Sequence, residues 1–317
     1  MVDATPKMTS ESKFTAELAQ LGDSDRPLVH AELKILSTLG GEVLQLFWQA
    51  WCSYPVERRV EIVRALNSLS EDNLDLDFHP VLRACLSDSD AEVRVAAIAG
   101  LWEDASERTL DRLLALLEDD SGAVRAAAAV ALAPFAYRAE LDELDARAAQ
   151  RLLAVLLRVS GDPEQPLEVR RRAVEALGYF ADSREAQAEV GRAYAHPERA
   201  MRESAILAMG RSMRTTWFPY IERELQSPAP ALRYEAARAV GELAEEGRPL
   251  LVALLPLIDD DDTEVALAAI WALGQVGGPN AKRILERLAR SNDSTRRQAA
   301  SDALDELSLE DVDSRRY

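Results

Sequence analysis

Cysteine is nearly absent from this chain of 317 residues, which holds only Cys52 and Cys85. Two cysteines are too few for a disulfide framework, an all-cysteine zinc site or an iron–sulfur cluster. Histidine is almost as scarce. His30, His79 and His196 stand alone, two of them directly before proline. The sequence has no His-Glu-x-x-His zinc motif, Gly-rich phosphate loop or Gly-x-Ser-x-Gly elbow. The expectation is therefore a protein that is not an enzyme, with no catalytic residue, metal site or cofactor. Long apolar runs are missing as well. The longest, residues 126–136, contains Pro134 and is far below the roughly 18 residues a membrane span needs. Residues 1–13 are polar, without the apolar centre of a signal peptide. These absences predict a soluble, cytoplasmic chain with no membrane partner.

Positive charge is in deficit. Lys and Arg number 37 against 55 Asp and Glu, a formal net charge of −18. A protein that neutralises many phosphates needs a basic surface, so no nucleic-acid partner is expected. Arg171, Arg172, Arg211, Arg214 and Arg238 would make only a local patch. The acidic balance reads first as solubility. Apolar residues are plentiful at 48%, which places the chain among folded proteins.

What the chain does have is a repeated phrase. An acidic or Pro-containing turn is followed by Val-Arg, then small residues at fixed offsets, then Ala-Leu-Gly. The fullest copy is Glu168-Val169-Arg170 with Ala173, Ala176, Leu177 and Gly178. Counting from the Arg position, the copies are anchored at 59, 94, 125, 170, 202, 233, 266 and 297. A spacing near 31–33 suits two helices of about 11–12 residues with two short connections. Helix A carries a leucine stripe such as Leu110, Leu113, Leu114 and Leu117, the i, i+3, i+4, i+7 pattern of one helical face. An acidic turn follows and complements the N-terminal dipole of helix B. Alanines at anchor+3 and anchor+6 let neighbouring helices approach closely. No β-branched alternation is present, so strands are not expected.

The phrase Asp-x-x-x-Val-Arg-x-x-Ala-x-x-Ala-Leu-Gly resembles a HEAT repeat, particularly the bacterial type also found in relatives of phycobilisome lyases. The resemblance implies an all-α, right-handed α-solenoid of about eight two-helix repeats. The expected organisation is a disordered tail over 1–12, capping helices over 13–40, the solenoid over 41–307 and a C-terminal tail over 308–317. The spacing of 45 between the third and fourth anchors marks an insertion at about 139–166, expected as a lengthened helix A over roughly 141–159 and a loop over 160–166. HEAT-fold iron hydroxylases share this architecture but use repeated His-Glu pairs, which are missing here.

Two sets of residues stand out. The first is a ladder of Arg59, Arg94, Arg125, Arg170, Arg202, Arg233 and Arg297. Its period-locked placement predicts pairing with turn acids such as Asp88, Asp90, Asp119 and Asp293 rather than anion binding. The second lies on the B helices, which line the inner, usually binding, face of HEAT-like arrays. At anchor+1 and anchor+5 that face gains Tyr234, Arg238, Leu207, Leu267 and Trp271, with Tyr179 and Arg211 at anchor+9. Tyr, Trp and Arg are the types enriched in binding hot spots. Among the other aromatics, Phe47, Trp48, Trp51, Trp102, Trp217, Phe218 and Tyr220 are expected to pack. Asp259–Asp262 is expected to cap a helix rather than hold calcium, because it lacks the spaced ligands of an EF-hand loop.

These observations predict a monomeric, non-catalytic scaffold or adaptor that binds a protein or peptide on the concave face. The alternative that the resemblance implies is a bilin-lyase-like enzyme or chaperone for a tetrapyrrole-carrying protein. Nucleic-acid binding ranks below both.

Overall fold

Leucine stripes and alanine-rich stretches fold into helices along the whole chain, with no strand among the described residues. The structure is a computed structural model that describes residues 10–73 and 75–313, with side chains from residue 11 to residue 308. The tail expectations for 1–9 and 314–317 fall outside the described residues. The chain divides into two compact units, Met1–Phe135 and Ala136–Tyr317.

In the first unit, α1 (Ser10–Leu21) and a 3-10 helix (His30–Leu36) precede three helical pairs. These are α2 (Gly41–Trp51) with α3 (Val56–Asp72), α4 (His79–Cys85) with α5 (Ala91–Ala99), and α6 (Glu107–Leu116) with α7 (Gly122–Ala131). Helix α8 (Ala133–Glu140) follows, beginning in the first unit and lying mostly in the second. The second unit continues with α9 (Ala146–Gly161) and α10 (Leu167–Leu177), α11 (Arg184–Tyr194) and α12 (Arg199–Arg211), and α13 (Phe218–Leu225) and α14 (Pro230–Glu242). Its last two pairs are α15 (Leu251–Leu254) with α16 (Thr263–Val276), and α17 (Gly278–Leu288) with α18 (Ser294–Asp313). Short 3-10 helices flank α15 where Pro249 and Pro256 interrupt the regular ladder. All eight anchors fall in second helices of pairs, so the fold class is an all-α solenoid of two-helix repeats.

Two local expectations change. The extra residues after the third anchor do not lengthen one helix over 141–159. They form the additional helix α8 and a turn, and α9 starts at Ala146 because Asp145 caps it, accepting from the Arg147 and Ala148 backbone N–H groups. At the C-terminal end, α18 runs on to Asp313 instead of stopping near 307.

Aspartate caps fix the start of two B helices, α5 and α16. Asp90 and Asp262 each accept two N–H groups of the first turn that follows, a contact typically worth about 1 kcal/mol. The small residues explain how closely these helices pack. A Cβ on Gly178 would lie 2.6 Å from the Ala208 carbonyl oxygen, and one on Gly210 would lie 2.7 Å from the Ala239 Cα. Glycine at anchor+8 thus meets alanine at anchor+6 of the next B helix, backbone against backbone. The core is the aliphatic stripe between layers, including Leu110, Leu113 and Leu117 in the first unit and Leu152, Leu156, Ile221 and Leu285 in the second, all essentially buried.

Near the first pair, Phe47 and Trp51 are buried and Trp48 is half-buried. The Trp51 indole N–H donates to the Asp88 carboxylate at 2.6 Å. Trp102 departs from expectation, because it sits past the end of α5 with 63% of its surface exposed. Trp217 packs at the start of α13 and donates to Gln187 Oε1 at 2.8 Å, whereas Tyr220 remains exposed. No helix among the described residues is long and apolar enough to cross a membrane.

Candidate functional site

The arginine ladder is a bracing element. Its guanidinium groups reach back to carbonyl groups about six residues earlier, at the end of the preceding turn. Arg94 donates to Asp88 O at 2.8 Å, Arg125 to Asp119 O at 2.6 Å, Arg233 to Ser227 O at 2.9 Å and Arg297 to Ser291 O at 2.9 Å. Arg170 makes the equivalent bond to Ser160 O, ten residues back across the longer turn, at 3.1 Å. Three of the arginines also hold an aspartate of the next repeat: Arg59 with Asp88, Arg94 with Asp119 and Arg233 with Asp260. The Arg233–Asp260 pair is a two-bond fork, with distances of 2.7 and 2.8 Å, the strongest geometry for this pair of groups. That hydrogen bonding holds the Asp260 carboxyl below its ordinary range. Arg202 makes neither contact, and its Nε is buried without a partner. Asp90 caps α5, and Asp293 pairs with Arg296 rather than Arg297. Within Asp259–Asp262, Asp260 holds Arg233 and Asp262 caps α16.

The other set of residues gathers on the B-helix face of the second unit. Helices α14 and α16 open into a surface cavity of about 420 Å³ lined by Tyr234, Arg238, Glu242, Glu264, Leu267, Ala268 and Trp271. Four of these, Tyr234, Arg238, Leu267 and Trp271, are named by the repeat columns. Each is half-buried, anchored on one side and open on the other. Gly241 seats the tryptophan, since a Cβ there would lie 2.2 Å from the Trp271 ring. Arg238 stacks over Tyr234 with its guanidinium carbon 5.9 Å from the ring centroid, inside cation–π range. It also lies 3.8 Å from Glu235 and 4.0 Å from Glu242.

Along the same face, Arg211 stacks 5.0 Å above the Tyr179 ring and donates to the Glu175 carbonyl at 3.1 Å. The exposed Tyr137 adds a tilted ring contact to Tyr179 at 5.4 Å. Burial is the main force raising the Tyr179 hydroxyl pKa; Arg211 opposes it and Glu242 adds to it. Leu207 does not belong to the surface and is 5% exposed. Gly178 and Gly210 let α10 and α14 close on α12 from both sides, and the anchor+5 position of α12 is covered by that approach.

The repeat columns miss Glu242, Glu264 and Ala268. Glu242 stands at anchor+9, the offset already occupied by Tyr179 and Arg211, so that column carried the signal. Glu264 lies two residues before its anchor, in the first turn of α16, where an acid also reads as ordinary dipole compensation.

Between α10, α12 and α14 runs a polar row. Glu175 is buried and accepts from Ser204 at 2.6 Å and from Arg172 at 3.1 Å. Glu235 faces the same row, and its Oε2 is buried without a hydrogen-bond partner. Burial, reinforced by the charges of Glu175 and Glu203, pushes its carboxyl up to about 7 against the pull of Arg238 and Arg171. Among the described residues no group of three or more His, Cys, Asp or Glu is placed to hold a metal ion. Cys85 is buried, which pushes its thiol up and away from reactivity.

The family model for HEAT repeats matches residues 79–162 and 218–305, more than half of the chain. No curated protein matches it in sequence. Among solved structures, a chain from the structure in which Kap95p binds RanGDP is 16% identical with a TM-score of 0.52, covering 94% of this chain and 46% of its own. A chain from the CpcE–CpcF complex of phycocyanin lyase from Nostoc sp. PCC7120 is 20% identical with a TM-score of 0.49, covering 72% of this chain and 94% of its own. Human deoxyhypusine hydroxylase is 21% identical with a TM-score of 0.35, covering 84% and 96%. At these identities the Kap95p likeness shows the α-solenoid fold alone, and the other two likenesses carry no argument.

Proposed function

This chain belongs to the HEAT-repeat family, and from that premise we propose that it is a non-catalytic scaffold that binds a protein or peptide on the B-helix face of its second unit. The observation that supports this most is the cavity between α14 and α16. Tyr234, Leu267 and Trp271 are large side chains that a purely structural stack would bury, yet all three remain half-open around about 420 Å³. Rigid aromatic anchors on a helix-supported wall, with an arginine and carboxylates at the rim, match the anatomy of a protein interface. The arginine ladder adds bracing, because six of its seven members tie a turn to its own helix or to the next repeat.

The test is a pull-down from source-cell lysate with wild type beside the Tyr234→Ala/Trp271→Ala double variant, read by mass spectrometry. A polypeptide enriched by wild type and lost with the still-folded variant is the expected result. Equal recovery by both proteins, or a bilin-induced absorbance change with no polypeptide recovered, would move the function away from this face.

A further inference from the structure

Resting on the reading of the α14–α16 cavity as a peptide-binding site, we infer that its occupant is a basic segment whose lysine or arginine side chain enters between Glu242 and Glu264 against Trp271. Three independent observations lead there. The first is unspent negative charge. Glu264 stands exposed at the mouth and makes no ion pair among the described residues. Glu242 has only Arg238, at 4.0 Å, beyond direct hydrogen-bond distance. The second is that the cavity's single cation is already engaged. Arg238 lies over Tyr234 and divides its charge between Glu235 and Glu242, which leaves Trp271 without a cation of its own. An aromatic wall flanked by carboxylates attracts a cation by ring quadrupole and by charge together.

The third observation is the sign of the surroundings. Next to the cavity, Gln275 of α16 donates to Glu306 of α18 at 2.9 Å, and Asp302 is exposed beside it on α18. On α14 itself, Glu235 adds a further carboxyl one residue from Tyr234. An acidic occupant would meet Glu242 and Glu264 with Arg238 already engaged, and a purely apolar one would leave Glu242 and Glu264 desolvated without partners. A basic segment satisfies both the aromatic wall and the two carboxylates.

Selection of a random twelve-residue peptide display library on the full-length protein tests this. Clones are sorted by their loss on Trp271→Ala, with Leu267→Asp as the second cavity variant if Trp271→Ala fails to fold. The expected result is that cavity-dependent clones share a lysine or arginine at a fixed position. Their affinity should fall about tenfold or more on Glu242→Gln/Glu264→Gln, whose changes lie at exposed or half-exposed positions. Cavity-dependent clones without a fixed cation, or indifferent to the double glutamine change, would overturn the basic-segment assignment and leave the peptide-binding reading standing. An absence of cavity-dependent clones would overturn both.

Discussion

Single side chains decide what the B-helix face can do, and Glu235 is the clearest case. Its carboxyl is nearly enclosed, faces Glu175 and Glu203, and has an oxygen without a partner. A folded-state value of about 7 lies above the usual carboxylate range, so the folded protein binds this proton more tightly than the unfolded chain. The stabilisation is therefore full below the unfolded value and is lost as pH rises through about 7. Glu235→Gln should raise the melting temperature at pH 8, by roughly 2 kcal/mol of stability, and leave it unchanged near pH 4. Melting curves of both proteins across pH 4–8 check this. Equal curves at all pH values would mean that Glu235 reaches solvent. At this scale the sequence revealed the anchors of the face but not its chemistry. Tyr234 and Trp271 were legible from their offsets and residue types. The burial of Leu207 depends on how far neighbouring helices close, and the raised Glu235 carboxyl depends on groups 32 and 60 residues away in sequence, on separate helices.

At the scale of helices and turns, the repeat phrase is a set of packing instructions. Where the phrase is full, glycine at anchor+8 opens space for the next helix, aspartate at the α5 and α16 turns caps the helix that follows, and arginine braces the turn. Asp260 combines these roles, taking two bonds from Arg233 and one from the Asp262 backbone N–H at 2.9 Å. Asp260→Ala leaves the half-buried Arg233 guanidinium without its carboxylate, which should cost about 1–2 kcal/mol and show as a lower denaturant midpoint with an unchanged slope. A loss below 0.5 kcal/mol would reduce the ladder to surface decoration. A matching acid-side effect follows from the lowered Asp260 carboxyl: its contribution holds above the ordinary carboxylate range and fades as pH falls through its lowered value. The helical pairs, their order and their leucine faces were legible, since each depends on local periodicity. Helix α8 was not, because 14 residues beyond the period fit a longer helix as well as a separate one. The choice was made by Asp145, whose side chain starts α9 at Ala146. The exposure of Trp102 was not legible for a similar reason: a place at a helix end does not show whether another element covers it.

For the molecule as a whole, the repeat sequence disclosed the fold. The B helices share the same offsets, but an open aromatic cavity appears where α14 meets α16, because Tyr234 and Trp271 are the aromatic side chains at positions that elsewhere hold aliphatic, charged or amide residues. The most direct test of a partner on this face is site-specific photocrosslinking in source cells. A benzophenone amino acid replaces Leu267 in one variant and Glu222, exposed on the A-helix α13, in a control. The account predicts a covalent polypeptide adduct at position 267 and none at 222. Adducts at both positions in equal yield, or at 222 alone, would contradict it.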